Sequence, residues 1–461
     1  MPHFGTDRGC IISNVKSDPA TPVAAIRRAG LLSFVALMYS YATAGPFGLE
    51  DQVTTSGPGM TLLFHLLIPF FLSIPVSLVA AELTTAIPVE GGFYRWVRIG
   101  YGNFWGFLAG WWNWCSSFVL GGVYAVLFSD YLRFFFPSMQ LWEHYAVSLL
   151  LIALMAWINI TGIQMAGAVA TVLELFILLP VAVLCLIAAT KWRHNPFLPL
   201  VPPHVPTFQV FGVGLALGLW LYAGYEQMSS VAEEVDNPQR SYPIALAIVI
   251  PISIATYFLP TLFSLAALGN WQDWKTGYFS EAAKLIGGPW LGFWMTVAAA
   301  VTNISLLNAT VLTGTRMPSA MAEDGYFPSS LTKKHSRYGT PWIAILLSSA
   351  IYALLAVLNL GQLIKAYAWL RIAVTVLTVL SAWRIRQTQP QLARPFRIPG
   401  GRAGLFYVVA APIVVSVVAL LGSDRFSLLW GPVALALGPL AYGLLRALRA
   451  GRPQVNQSSA L

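Results

Sequence analysis

A short string in the first apolar segment combines helix-breaking residues with the chemistry of an opened backbone. Y-A-T-A-G-P-F-G-L-E-D runs from Tyr41 to Asp51. Pro46 has no amide proton, and Gly45 and Gly48 on either side of it are poor helix formers. A helix broken here leaves free amides that suit a carboxylate and free carbonyls that suit an ammonium group.

A second string pairs a helix break with a carboxylate. W-L-Y-A-G-Y-E-Q-M-S-S-V-A-E-E-V-D-N-P-Q-R spans residues 220–240. Gly224 loosens the helix halfway, and Glu226 follows two residues later. A carboxylate at the centre of a membrane helix costs about 3 kcal/mol on insertion scales. Such a group suits the binding of a cation or the reversible binding of a proton.

The composition indicates a membrane protein. The 461 residues are 57% hydrophobic and 10% charged, with a mean hydropathy of +0.67. No soluble domain of this size has that balance. The three cysteines lack the spacing of a disulfide framework or a metal site.

Inside lipid, an opened backbone is tolerated only where it lines a protein cavity, so both breaks point to a binding site.

Apolar segments of about 20 residues, the length that crosses the hydrocarbon as a helix, recur along the chain. The predicted spans are 26–56 (broken), 60–87, 102–135, 144–161, 164–190, 208–235 (broken), 243–268, 288–322, 342–359, 362–386, 404–422 and 427–448. The predicted fold class is therefore an all-α integral membrane protein with about 12 transmembrane helices. One integral membrane domain covers 26–448, between cytoplasmic tails at 1–25 and 449–461.

The positions of Lys and Arg predict the orientation. With a cytoplasmic amino terminus, most of the 27 Lys and Arg residues fall in the inner loops and tails, as the positive-inside rule requires. This places both termini in the cytoplasm of a multi-pass protein of the plasma (inner) membrane. The net charge of +9 follows from the same bias and needs no nucleic-acid partner. A cleaved signal peptide is less favoured, because cleavage would remove the first break.

The two interrupted spans lie five helices apart. This spacing is typical of two inverted five-helix repeats, whose interrupted helices form a central substrate site. The repeats would cover 26–190 and 208–386, with 404–448 outside them. Because the halves show no convincing similarity residue by residue, this prediction depends on span spacing alone.

Six strings resemble the amino acid, polyamine and organocation permease superfamily, and within it the polyamine-uptake type and its bacterial relatives. They are G-P-F-G-L-E-D at 45–51, A-E-L-T-T-A-I-P-V-E-G-G-F-Y at 81–94, V-L-F-S-D-Y-L at 126–132, A-E-E-V-D-N-P-Q-R at 232–240, H-S-R-Y-G-T-P-W at 335–342 and A-R-P-F-R-I-P at 393–399. The resemblance extends from about Arg28 to Pro399. It implies a LeuT-type fold and secondary active transport, usually coupled to protons or to exchange.

The resemblance also suggests roles for three acidic residues. Glu226 matches the glutamate of the family's sixth-span G-x-E pattern, so we expect it to bind substrate or couple transport to protons, with helix packing as the alternative. In this fold the fifth span adjoins the first break, which makes Glu174 a second candidate for proton coupling. Glu82 is expected to form a structural or gating pair with a basic residue.

Lys365 and Arg371 on the tenth span depart from the polyamine type, which tends to carry an acidic residue in this neighbourhood. We expect Lys365 to snorkel to the outer interface. Arg371 would pair with an acid such as Glu174 or face a substrate carboxylate. Two cations would repel a polyamine, so the departure favours an amino acid. Glu50 and Asp51, at the outer end of the first break, would draw in cations or meet water.

Aromatic side chains complete the expected site. Rings near the breaks would offer an amine cation–π contacts of about 0.5–2 kcal/mol, although most aromatic residues of this chain must anchor interfaces or pack. The residues expected to bind substrate are Thr43, Ala44, Gly45, Gly48, Trp111, Tyr124, Tyr222, Gly224, Tyr225 and Glu226. Those expected to act in proton coupling or gating are Glu226, Glu174, Glu82 and Arg371.

These features predict a proton-coupled amino acid permease that works by alternating access. A polyamine or cationic-amine permease or exchanger is the close alternative, and a nutrient receptor that does not transport is less favoured. The sequence has no G-x-x-x-x-G-K loop, H-E-x-x-H motif or cysteine-histidine cluster, which disfavours a pump or metalloprotease. We expect no enzyme activity, metal or cofactor beyond an ion gradient. The partners are a small solute and the bilayer. Sodium coupling and the oligomeric state stay open.

Overall fold

The computed structural model describes residues 30–43, 45–87, 92–162, 167–203, 205–227, 235–423 and 425–450. The expected amino-terminal tail, residues 451–461 and Ala44 lie outside the described residues. Within the described ranges the chain folds into helices joined by loops.

Sixteen α-helices are named here in chain order. They are α1 (Leu31–Ala42), α2 (Glu50–Ser56), α3 (Pro58–Ile68), α4 (Ile74–Ala86), α5 (Gly92–Tyr101), α6 (Asn103–Leu132), α7 (Leu141–Thr161), α8 (Gly167–Thr190), α9 (Thr207–Leu221), α10 (Pro238–Leu268), α11 (Tyr278–Gly287), α12 (Pro289–Glu323), α13 (Trp342–Leu355), α14 (Leu360–Thr388), α15 (Gly401–Leu421) and α16 (Arg425–Ala450). A π-helical segment, Pro69–Ser73, joins α3 to α4. Short 3₁₀ turns occupy Trp271–Asp273 and Ser329–Thr332.

Nine helices in the described part of the chain are long and apolar enough to cross a membrane. They are Pro58–Ala86, Asn103–Leu132, Leu141–Thr161, Val172–Thr190, Gln239–Leu268, Pro289–Glu323, Leu360–Thr388, Gly401–Leu421 and Ser427–Leu448. Two shorter apolar helices, α1 and α13, lie in the first and ninth predicted spans. The prediction of a helical membrane protein is therefore confirmed.

Both expected breaks interrupt their helices. The first separates α1 from α2 between Ala42 and Glu50, and the second follows the end of α9 at Leu221. Gly45, Gly48 and Gly224 have φ angles of 112°, 90° and 115°, which glycine adopts at little cost because it has no Cβ atom. The glycines of the two strings therefore set where the helices open.

Helix α6 lies at the centre of the helix bundle and forms one wall of the space between the two breaks. It contacts α5, α7, α12, α13, α14 and α16. Helix α1 packs against α8, α10 and α12, and α9 packs against α2, α3, α14 and α15. The two interrupted segments are thus held by different helices and meet at their breaks.

Candidate functional site

The two breaks adjoin each other. A Cβ atom built on Gly224 would lie 3.9 Å from the Cα atom of Ala42, which is the last residue of α1. The next residue, Thr43, ties this end of α1 to α10 through a hydroxyl contact with Ser253. The opened backbone of both segments is therefore gathered in one place, as the sequence predicted for Thr43 and Gly224.

Side-chain hydroxyls satisfy the carbonyl groups that the second break leaves without helix partners. These bonds run from Tyr257 Oη to the Leu221 carbonyl at 3.1 Å, from Ser73 Oγ to the Tyr222 carbonyl at 3.0 Å, and from Tyr242 Oη to the Tyr225 carbonyl at 2.9 Å. An unpaired buried carbonyl costs about 1–3 kcal/mol. The neighbouring helices thus hold the break open in a fixed shape.

Tyr222 belongs to this supporting frame. Its hydroxyl donates to the His65 carbonyl at 2.9 Å, and its ring packs edge-on against Tyr257. Tyr225 is also buried, and its hydroxyl has no hydrogen-bond partner among the described residues. The structure therefore places the two tyrosines behind the break, beside a smaller cavity that Glu226 also lines.

Glu50, the first residue of α2, closes one end of the first break. Its carboxylate accepts a hydrogen bond from the Gly48 amide at 2.9 Å and another from the Tyr131 hydroxyl. Glu50 is fully buried, so the expectation that it faces water or draws in cations is wrong. Its neighbour Asp51 accepts hydrogen bonds from Thr276, in the loop before α11.

Gly45 and Gly48 shape the break without lining the cavity described below. A Cβ atom on Gly48 would lie 2.7 Å from the Trp220 ring, and one on Gly45 would lie 2.8 Å from the Phe47 ring. Both positions therefore require glycine for close packing as well as for their backbone angles.

A cavity of about 60 Å³ lies between the breaks and the central helices. Among the residues predicted from sequence, Thr43, Tyr124, Gly224 and Arg371 line it. Polar and aromatic residues outside the predicted substrate-binding set contribute much of the remaining wall. They include Tyr41, Asn113, Trp220, Gln227, Tyr257, Thr302, Asn303, Thr313 and Tyr367.

A hydrogen-bonded network runs along one wall of this cavity. Gln227 donates its amide hydrogen to Asn113 Oδ1 at 2.8 Å, and Arg371 Nη1 donates to the same oxygen at 3.4 Å. On the other side, the Tyr41 and Thr313 hydroxyls lie 2.7 Å apart. Sequence reasoning missed Asn113 because a single amide in an apolar helix gives no indication of which helix it faces.

Glu226 and Arg371 form an ion pair beside the cavity. Their side chains are only 3% and 4% exposed, and the guanidinium contacts the carboxylate directly. The sequence predicted that Arg371 pairs with an acid such as Glu174 or faces a substrate carboxylate; the structure gives it an acidic partner, and that partner is Glu226 instead of Glu174. Helix α14 places Arg371 against the segment that follows α9, whereas Glu174 lies on α8, which packs against α1, α10 and α12. Burying two charges is costly unless each neutralises the other.

Glu174 lies outside the cavity lining. It is 5% exposed, and its Oε2 atom has no hydrogen-bond partner among the described residues. The helix that carries it packs against α1, as expected. The structure therefore brings Glu174 next to the first broken segment and keeps it apart from the ion pair.

Glu82 has the basic partners that the sequence predicted. Its carboxylate accepts two hydrogen bonds from the Arg386 guanidinium, one of them at 2.7 Å, and lies 3.4 Å from Arg394 Nε. The Ile398 amide also donates to it at 2.8 Å. Two of the family-like strings, 81–94 and 393–399, therefore meet at this carboxylate.

Trp111 does not line the cavity. Its ring lies in a cluster with the rings of Phe107, Trp114 and Phe327.

Lys365 is half-buried and faces α16 instead of the central space. In the described residues, no group of three or more His, Cys, Asp or Glu side chains is arranged to hold a metal ion.

Comparison with known proteins gives a consistent result over most of the chain. The family described as amino acid permease matches residues 29–437. Polyamine transporter RMV1 of Arabidopsis thaliana is 31% identical over 420 residues, which are 90% of this chain and 84% of that protein. Polyamine transporter PUT1 of Oryza sativa subsp. japonica is 32% identical over 425 residues, covering 91% and 77%. An uncharacterized transporter of Mycobacterium tuberculosis is 29% identical over 342 residues, covering 72% and 73%.

Proposed function

This chain belongs to the amino acid permease family, and from that premise we propose that it carries an amino acid across the plasma membrane by proton-coupled alternating access. Membership makes it a multi-pass membrane transporter of a small solute. The kind of solute, the coupling ion and the arrangement of twelve spans are parts of the proposal.

The helix contacts support two inverted five-helix repeats. In the proposed pairing, five spans of the first repeat correspond in order to five spans of the second. The first five are α1 with α2, α3 with α4, α6, α7 and α8, and their counterparts are α9, α10, α12, α13 and α14. Each contact between two helices then has a counterpart between the two helices that correspond to them. The matched pairs are α1–α8 with α9–α14, α1–α10 with α3–α9, α6–α7 with α12–α13, α8–α10 with α4–α14, α8–α12 with α6–α14, and α6–α13 with α7–α12.

Two short helices extend this correspondence. Helix α5 follows the second span and packs on α6 and α14, and helix α11 follows the seventh span and packs on α12 and α8. Each is 10 residues long. An inverted repeat places such a pair on opposite sides of the membrane. With a cytoplasmic amino terminus, α5 would lie inside and α11 outside.

The ion pair between Glu226 and Arg371 is the observation that carries the choice of substrate. The two charges cancel, so the cavity beside them offers no spare negative charge to a polyamine. A zwitterion has no net charge and so matches a neutralised pair. Once Glu226 is protonated, the substrate carboxylate can bind Arg371 while the substrate ammonium group binds carbonyls and hydroxyls at the breaks.

The same pair suggests how a proton would couple to transport. In the ion pair, Glu226 occupies the guanidinium that a substrate carboxylate requires. Protonation of Glu226 removes its charge and releases Arg371 for the substrate, so proton and amino acid would bind together. Glu174, buried beside the first broken segment, is a second candidate for carrying the proton.

A polyamine or cationic amine is the second candidate substrate, favoured by the names of the relatives. It would require Arg371 to leave Glu226 so that the carboxylate could bind a substrate ammonium group. The third candidate function is that of a receptor that binds a small solute without transporting it.

Uptake by the purified full-length protein in proteoliposomes tests the proposal. We expect saturable uptake of a labelled neutral amino acid that rises when the outside is made acidic, and little uptake of putrescine or spermidine. Glu226→Gln should remove the response to the proton gradient. Uptake of polyamines alone would overturn the amino acid assignment. Binding without uptake under any gradient would indicate a receptor.

A further inference from the structure

Asn303, on α12, brings a buried hydrogen-bond acceptor without a donor to the central cavity. Its side chain is 1% exposed and lines the cavity between the two breaks. The amide nitrogen donates to the Ala299 carbonyl of the same helix at 2.9 Å. Oδ1 lies on the other side of the planar amide and has no hydrogen-bond partner among the described residues. A buried acceptor without a donor is costly, so this position suits a ligand that brings a donor.

Other polar groups that line the cavity differ from Asn303 in this respect. Thr310 and Thr313 lie further along α12, and each donates its hydroxyl hydrogen to the carbonyl four residues earlier, at 2.8 Å and 2.9 Å. Tyr257 donates to the Leu221 carbonyl at the second break. These hydroxyls have partners within the protein, whereas Asn303 Oδ1 keeps its capacity to accept a bond from a ligand.

The charges of the cavity wall leave this oxygen for the substrate side chain. Among the described residues that line the cavity, Arg371 alone carries a formal charge. It lies on α14 and Asn303 on α12, two helices that both pack against α6. In the proposed function, Arg371 binds the substrate carboxylate and the breaks bind the ammonium group. Asn303 Oδ1 is then available to the side chain, and a neutral donor fits a wall on which the described residues offer no carboxylate.

The size of the cavity restricts that side chain. The cavity measures about 60 Å³, and a single water molecule needs about 10–15 Å³. Gly314 brings α12 close to α6, because a Cβ atom there would lie 2.9 Å from Ser117 Oγ. Both of these residues line the cavity. The space therefore suits a small amino acid better than one with a long or aromatic side chain.

We propose that Asn303 Oδ1 accepts a hydrogen bond from the substrate side chain, and that the preferred substrate is a small hydroxyl amino acid such as serine. This inference rests on the proposed function, because it requires Arg371 and the breaks to hold the carboxylate and the ammonium group. Asn303 would act as a specificity-determining residue. A site with a buried acceptor discriminates against an analogue that lacks the donor, because the acceptor is then left unpaired.

Uptake of labelled serine and of labelled α-aminobutyrate by the purified full-length protein in proteoliposomes tests the inference. In α-aminobutyrate a methyl group of similar size replaces the hydroxyl of serine. Loss of one hydrogen bond to a buried acceptor predicts that kcat/KM is at least about tenfold lower for α-aminobutyrate. This comparison uses the wild type alone and does not depend on the folding of a variant.

Asn303→Leu removes the acceptor and keeps a side chain of similar size. It should abolish the preference for serine and retain uptake of α-aminobutyrate, and Asn303→Ala should do the same. Asn308→Leu is the matched control on the same helix. The Asn308 amide oxygen accepts from Asn159 Nδ2 at 2.7 Å, and this residue does not line the cavity. Its loss can lower stability but should leave the preference for serine unchanged.

The outcomes separate this inference from the proposed function. Equal kcat/KM for serine and α-aminobutyrate in the wild type, or an unchanged preference in both Asn303 variants, would overturn the role of Asn303 while amino acid transport stands. Uptake of putrescine without uptake of any amino acid would overturn the proposed function, and this inference with it.

Discussion

The guanidinium of Arg371, on α14, contacts the carboxylate of Glu226, on the segment that follows α9, and both side chains are almost fully buried. The contact joins the second broken segment to the last helix of the proposed repeat. It also makes the charge balance of the site a property of two residues that are far apart in sequence.

Removing one charge of this pair should destabilise the protein more than removing both. A single buried charge without its partner costs about 3–5 kcal/mol. We therefore expect Arg371→Gln and Glu226→Gln each to lower the thermal unfolding temperature in detergent, and the double variant to recover much of the loss. If the double variant were as unstable as the sum of the singles, the two side chains would not interact.

Arg371→Gln should also change which solutes are carried. Without the guanidinium, Glu226 presents an uncompensated negative charge near the cavity. Uptake of a neutral amino acid should fall at least about tenfold, the effect of losing one charge-assisted hydrogen bond, while putrescine uptake should rise. Competition assays in proteoliposomes measure both. Unchanged selectivity would show that Arg371 has only a structural role.

The glycine at the first break should not tolerate a side chain. Gly48→Ala adds a Cβ atom 2.7 Å from the Trp220 ring at a φ angle of 90°, so we expect reduced stability and a large loss of uptake. Gly443→Ala is the control, since nothing lies within 4 Å of its added Cβ atom. That helical substitution should stabilise slightly. Equal effects of the two substitutions would contradict the close packing at Gly48.

The Glu82 cluster should hold the segment after α14 in place. Glu82→Gln removes the charge that binds Arg386, Arg394 and the Ile398 amide. Hydrogen–deuterium exchange of residues 393–399 should then become faster, and transport should fall. Glu281→Gln, in an exposed pair with Lys284, should change neither, because such pairs contribute little. Unchanged exchange in Glu82→Gln would mean that the segment is held by other contacts.

The tyrosine hydroxyls at the second break should support its shape. Tyr257→Phe leaves the Leu221 carbonyl without its donor, which should cost about 1–3 kcal/mol and reduce uptake. Tyr338→Phe, at an exposed position, serves as the control and should be neutral. If Tyr257→Phe proved neutral in both unfolding and uptake, the break would not depend on this bond.

The sequence by itself determined the helical membrane fold and the places where two helices open. Hydrophobicity over about 20 residues and the backbone properties of glycine and proline are local, so they can be read along the chain. The basic partners of Glu82 were expected for a similar reason, because a buried carboxylate requires compensation wherever it lies.

Only the tertiary structure decided which buried groups meet. The sequence predicted an acid such as Glu174, or a substrate carboxylate, as the partner of Arg371, and helix packing makes that partner Glu226. Packing also brings Asn113 and Gln227 to the cavity wall, places Trp111 in an aromatic cluster instead, and buries Glu50, which was expected to meet water or cations, against Tyr131. A charged side chain reveals that it needs a partner, but its partner depends on the rotation and register of helices separated by many residues, and packing fixes these only once the whole bundle forms.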